Sequence, residues 1–144
     1  MTHLNDLYTE ADNNNIVLES FGLSNTESLS VCIDDTYFIA IDQSQLKNNA
    51  DEKVKLAHEM GHCMTGAFYN RYSKLNDVHQ QEAKANRWAV RRLIQPEDFQ
   101  AAFEDGIVEI WELAEHFEVT EDFIRIALQI YEECGQYQHP VCAD

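Results

Sequence analysis

Two prolines and five glycines among 144 residues leave little material for a linker. No internal repeat or low-complexity block interrupts the chain, and the nearest thing to one, Asn13-Asn14-Asn15, reads as a turn. With 44% hydrophobic residues the length suits one core, so residues 1–144 are expected to form a single domain. Long apolar runs are missing as well. The longest lies near residues 37–41, far too short to cross a bilayer, and no positively charged start followed by an apolar stretch opens the chain. A cytoplasmic protein with no membrane partner is expected. None of the four cysteines, Cys32, Cys63, Cys134 and Cys142, forms a C-x-x-C pair, so reduced thiols are expected. Cys134, His139 and Cys142 read as part of a polar terminus rather than as a second metal cluster.

Positive charge is the scarcest commodity: 10 Lys and Arg stand against 26 Asp and Glu, a net charge of −16. Duplex binding depends on cations that neutralise phosphates, so this balance argues against direct nucleic-acid contact. The argument bears on residues 107–131, which read as two helices around Glu118-Val119-Thr120-Glu121 and superficially resemble a helix-turn-helix. The would-be recognition segment, 120–131, carries Glu121 and Asp122 with Arg125 as its lone cation. Phe123, Ile126, Ala127 and Ile130 recur at helical spacing and read as core packing, which makes the hairpin an integral part of the domain.

Against this background stands His58-Glu59-Met60-Gly61-His62, which has the H-E-x-x-H form. Residues four apart lie on one face of a helix, so both imidazoles can converge on one cation. Glu59 is rotated about 100° around the helix, beside the metal rather than on it. A carboxylate there suits a general base acting on a water that zinc has acidified. The flanking sequence fits a helix over residues 50–65, with Asn49 as N-cap, Asp51 and Glu52 in the first turn and Gly66 as the stop. Cys63 adjoins a ligand in sequence but points off its face and reads as core.

A catalytic zinc needs a third protein ligand and an open position. Two candidates lie in the next helical segment, which Asp77 with Gln80 can cap and Pro96 terminates. Glu82 shares a face with Ala85 and Ala89, small residues that allow close approach to the motif helix, and Asn86 lies one turn further on, placed to hydrogen-bond a ligand. His79, three residues before Glu82, would instead give an all-histidine site, and spacing alone leaves the choice open. The metzincin pattern is excluded, because the position six beyond His62 is Phe68.

The string Leu56-Ala57-His58-Glu59-Met60-Gly61-His62-Cys63, then Thr65-Gly66-Ala67-Phe68-Tyr69, Glu82-Ala83-Lys84-Ala85-Asn86-Arg87-Trp88-Ala89 and Leu93-Ile94-Gln95-Pro96, resembles the ImmA/IrrE family of metallo-endopeptidases. The similarity runs on through Trp111-Glu112-Leu113-Ala114-Glu115-His116-Phe117 to Phe123 and spans essentially the whole chain. It implies one Zn²⁺ per chain held by His58, His62 and Glu82, with Glu59 catalytic. It also implies a zincin-like fold and a protein substrate of the helix-turn-helix repressor type, since members are often associated with mobile elements or stress responses and cleave such repressors. The acidic surface suits a basic partner, though it is equally the ordinary state of many soluble proteins.

Segments 16–19, 28–33 and 37–41 have strand composition, Asp34-Asp35-Thr36 fits a hairpin turn, and residues 4–13 read as a helix. The fold class expected is therefore α+β: a short three-stranded antiparallel or mixed sheet packed on the motif helix, with a mainly helical C-terminal half. A sheet edge beside the cleft would receive an extended substrate. In the expected mechanism Glu59 takes a proton from water and passes it to the leaving amine, and Tyr69, Tyr72 or His79 steadies the oxyanion. A different class of function stands beside it: an acidic anti-repressor that binds a basic regulator without cutting it, its zinc being structural. Manganese or iron would also suit a two-His, one-carboxylate set.

Overall fold

The computed structural model describes residues 1–135. A first helix, α1 (Leu4–Asn13), leads into three strands, β1 (Val17–Ser20), β2 (Ser28–Ile33) and β3 (Thr36–Ile41). After a short 3-10 turn at Gln43–Gln45 come α2 (Asn49–Thr65), α3 (Leu75–Leu93), α4 (Pro96–Glu104), α5 (Ile110–Phe117) and α6 (Glu121–Glu133). The architecture is α+β, as expected, and the sheet is mixed. Its order is β1-β3-β2, with β1 parallel to β3 (Val17 opposite Phe38) and β2 antiparallel to it (Ser28 opposite Ile41, Ile33 opposite Thr36). Two aspartates make the hairpin: Asp34 and Asp35 take φ of 50° and 63°, the left-handed pair that a two-residue turn matched to strand twist requires. Thr36 therefore opens β3 instead of lying in the turn, and β1 is displaced by one residue from the expected 16–19.

Helix α2 has a side-chain cap at its start and a left-handed residue at its end. Asn48, not Asn49, is the N-cap, its Oδ1 accepting from the Asp51 N–H at 2.9 Å. With consecutive asparagines available, the one left in extended backbone does the capping. Gly66 ends the helix at φ 69°. The capping expected for the next helix does not occur. Helix α3 begins at Leu75 behind Lys74 with no side-chain cap, and Asp77 falls inside its first turn, where its charge still suits the helix dipole. The chain leaves α3 at Leu93, and Pro96 occupies the first turn of α4, where its missing N–H costs nothing.

α2 lies at the centre of the packing, buried against α1, the sheet and α3 through Leu56, Ala57 and Met60. Its approach to α3 is unusually close at Gly61. A Cβ placed there would stand 2.5 Å from the Ala85 carbonyl oxygen and 3.0 Å from the Ala85 Cα, so only glycine fits without a shift of backbone. Farther from the sheet, Phe99 of α4 meets Phe117 edge-to-face at 5.3 Å and Tyr131 at 6.2 Å between ring centroids. Tyr131 also donates from its buried hydroxyl to the Ile94 carbonyl at 2.7 Å. Phe123, Ile124, Ala127 and Leu128 bury one face of α6 in this core, with Ile126 and Ile130 packed at its margin. The hairpin α5–α6 thus joins the body through apolar surface. The buried Lys53 of α2 ties the two regions together, donating to the Phe117 carbonyl at the end of α5 at 2.9 Å. Among the described residues no helix is long and apolar enough to cross a membrane.

Candidate metal site

His58 and His62, one turn apart on α2, meet with ring centroids 4.8 Å apart and perpendicular planes. Their Nε2 atoms lie 3.2 Å from one another. Glu82 reaches them from α3, placing Oε2 3.0 Å from Nε2 of His58 and Oε1 3.0 Å from Nε2 of His62. The shared face of Ala85, Ala89 and Glu82 explains the reach: Ala85 and Ala89 are buried beside α2, and the glycine contact draws the two helices together. His79 lies one turn earlier on α3, exposed, and is not part of the converging group.

The outer nitrogen of each imidazole is already engaged. Nδ1 of His58 donates to Oδ1 of Asn86 at 2.8 Å, and Nδ1 of His62 donates to the Ala67 carbonyl. The second bond is a product of the helix end. Gly66 turns the chain back so that the Ala67 N–H meets the His62 carbonyl at 3.0 Å while the Ala67 carbonyl meets the His62 ring. A carbonyl can only accept, so His62 carries a proton on Nδ1, and the neutral tautomer that this selects presents a lone pair at Nε2. In these neutral tautomers two imidazole lone pairs and two carboxylate oxygens face one another at 3.0 to 3.2 Å, the arrangement that a bound cation would satisfy. Such a cluster lacks a positive charge. Ligand bonds of about 2.0–2.1 Å to a tetrahedral zinc would set donor–donor edges of about 3.3–3.4 Å, close to the separations found. The residues fit a metal of this kind.

The same shortage governs protonation in the metal-free protein. Burial works against the charged form of His58, but the Glu82 hydrogen bond, the Glu59 and Glu82 charges and Asn86 outweigh it and hold its pKa above the ordinary value. Without a cation, an N–H on the inward nitrogen of either imidazole donates to Glu82, and hydrogen bonds of this kind, from His58 and then His62, keep its carboxyl well below the usual carboxylate range. Tyr69 donates from its hydroxyl to Glu82 Oε1 at 2.7 Å, and burial together with that bond pushes its pKa up to about 12. It remains a donor at any ordinary pH. Tyr72, by contrast, is 79% exposed and engaged with Arg71, so of Tyr69, Tyr72 and His79 only Tyr69 enters the site.

Glu59 lies in the same cleft, about 460 Å³, together with His58, His62, Phe68, Tyr69, Glu82 and the strand residues Thr26, Ser28, Leu29 and Ser30. It is only 6% exposed, and both its oxygens accept hydrogen bonds from β2: Ser28 Oγ to Oε2 at 2.7 Å and Ser30 Oγ to Oε1 at 2.8 Å. Neither serine stands out in the sequence, because alternation shows that residues 28 and 30 share a face but not that α2 lies beneath it. A second cleft of about 540 Å³ shares Ser28 and His58 with the first and extends it past Asn86 to Asp122, Arg125 and Ile126 on α6. A larger cleft of about 830 Å³, beside Trp111 and Lys53, contains none of the motif residues. Cys63 is buried, and burial foremost, with Glu59 and Cys32 nearby, pushes its thiol up to about 12, so it offers no thiolate to the site. Of the sparse tail grouping Cys134 is exposed, and His139 and Cys142 lie outside the described residues.

Comparison with known proteins agrees with this geometry. The peptidase M78 family model, described as the IrrE N-terminal-like domain, matches residues 10–129, a span that holds the motif helix, Glu82 and the α5–α6 hairpin. No curated protein and no solved structure gives a significant match. The family supports a metallopeptidase type of function, and three donors able to hold a metal lie in the matched region. By the extent of that match the chain belongs to the M78 peptidase family, whose domain is IrrE N-terminal-like.

Proposed function

We propose that the protein is a zinc-dependent endopeptidase that cleaves a regulatory protein, with His58, His62 and Glu82 as ligands of one zinc per chain and Glu59 as general base. The observation that carries the reading is the convergence of two imidazoles and a carboxylate, three donors able to hold one metal ion, with a buried carboxylate in the same cleft. A zinc held there would supply the Lewis acidity that activates a water and polarises a substrate carbonyl. Asn86 and the Ala67 carbonyl fix both rings with Nε2 turned inward. Glu59 takes the proton of the attacking water on a carboxylate oxygen and delivers it to the leaving amine nitrogen. The Tyr69 hydroxyl, exposed enough to turn away from Glu82, donates to the oxyanion.

The substrate backbone runs along β2. No described strand pairs with the outer edge of β2, which borders the cleft, and an extended peptide placed there gains main-chain hydrogen bonds beside Glu59. The continuation toward α6 offers room for further residues on one side of the scissile bond. A basic helix-turn-helix repressor is the partner class we favour, on the ImmA/IrrE resemblance and the net charge of −16. The competing reading, a non-cutting anti-repressor with structural zinc, would usually close its site with a fourth protein ligand. Among the described residues the converging group has three members.

The test begins with elemental analysis after dialysis of wild type, Glu82→Ala and His79→Ala, followed by cleavage assays of Glu59→Gln. One zinc per chain, lost with Glu82→Ala and kept with His79→Ala, is expected. Glu59→Gln should keep the zinc and lose cleavage. A Glu59→Gln protein with full biological effect would overturn the protease reading in favour of the anti-repressor.

A further inference from the structure

We infer that Ser28 and Ser30 are positioning residues for Glu59: two hydroxyls of the edge strand β2 aim the base at the metal position. The inference rests on the peptidase reading above and adds to it the device that holds the base. Glutamate has three rotatable bonds between backbone and carboxylate, and a buried carboxylate without partners is costly. In this chain each oxygen of Glu59 has one serine donor, at 2.7 and 2.8 Å, and both donors come from alternate positions of one strand. Two points of attachment fix the plane of the carboxylate as well as its location. A carboxylate offers about four acceptor directions, so two remain free for the chemistry.

Small side chains are required at both positions. A residue longer than serine would fill the cleft that Ser28 and Ser30 line together with His58, His62 and Glu82. A hydrogen or methyl in place of the hydroxyl would leave a 6%-exposed carboxylate short of its donors. The placement also links two tasks. The strand whose outer edge no described strand pairs with, and along which the proposed substrate runs, also carries the two hydroxyls, so the register of the bound backbone and the aim of the base are set by one element.

Acetohydroxamic acid is the probe, because it binds zinc through two oxygens once its acidic O–H has passed its proton to the general base, which then hydrogen-bonds the bound hydroxamate. The zinc-loaded full chain is titrated by calorimetry, with zinc content and thermal melting measured for every variant. Wild type is expected to bind one acetohydroxamate per zinc. Ser28→Ala and Ser30→Ala should each weaken it roughly tenfold, and the double variant roughly 100-fold, with zinc retained. Ser28→Thr and Ser30→Thr, which restore the hydroxyl, should return to within a few-fold of wild type, a rescue that mere packing of the strand would not produce. The single variants decide the matter if the double variant does not fold. Unchanged affinity in the serine-to-alanine variants, with a large loss in Glu59→Gln, would overturn the positioning role and leave the peptidase reading intact. Unchanged affinity in Glu59→Gln as well would remove Glu59 from the chemistry, and both readings would fall.

Discussion

Helices α2 and α3 approach one another at Gly61, where backbone meets backbone, whereas α5 and α6 are tied to the body through side chains as large as Phe117 and Tyr131. The two arrangements answer different demands. A shell of aromatic and aliphatic side chains can absorb small changes by shifting rotamers, so its contribution is mainly stability. A contact between main chains has no such slack. In the α2–α3 pair, that contact sets how far the Glu82 carboxylate stands from two imidazoles, a distance on which the whole cluster depends. Exactness and robustness are thus assigned to different helix pairs of one small fold.

The largest effect should come from the robust region. Phe99→Ala removes the ring around which Phe117 and Tyr131 pack, and is expected to cost about 3–5 kcal/mol of stability, read by denaturant unfolding. Zinc stoichiometry in the folded fraction should not change; loss of zinc in parallel would show that the two regions are not separable. Gly61→Ala attacks the other region. Its methyl meets the Ala85 carbonyl, and the expected loss is about 1–3 kcal/mol, this time accompanied by weaker zinc retention on dialysis. A Gly61→Ala protein that melts and holds zinc like wild type would mean that α3 can retreat without moving Glu82. The smallest change in stability belongs to Asn86→Ala. It deprives Nδ1 of His58 of its acceptor, and should lower zinc affinity roughly 10–100-fold in chelator competition while leaving the melting temperature of the metal-free protein nearly unaltered.

The sequence made the motif helix legible because its signals are local. A cap, an acidic first turn, a four-residue histidine spacing and a terminal glycine all lie within one segment, and the structure differs there only in that Asn48 rather than the adjacent Asn49 is the cap. Strand segments were legible for the same reason, and Asp34-Asp35 marked the hairpin. Glu82 against His79 was not decidable from spacing, since both lie on α3 and the choice depends on where α3 crosses α2. That crossing is fixed at Gly61 and Ala85, a contact between residues far apart in the chain. The serines that hold Glu59 were hidden for a related reason: strand periodicity assigns a face, and only the packing of sheet on helix says what the face meets. The start of helix α3 is not legible in the sequence, because no side-chain cap exists there to be read.

The outer flank of β2, unpaired among the described residues, also bears on how copies of this protein meet one another. A flank able to accept a guest chain is equally able to accept its own kind, and Val31 and Ile33 leave greasy surface beside it. Sixteen excess negative charges supply mutual repulsion between copies, effective over about 8 Å in physiological salt and over less as salt is added. The same acidity thereby acts as insulation between copies, working against pairing of one flank with another.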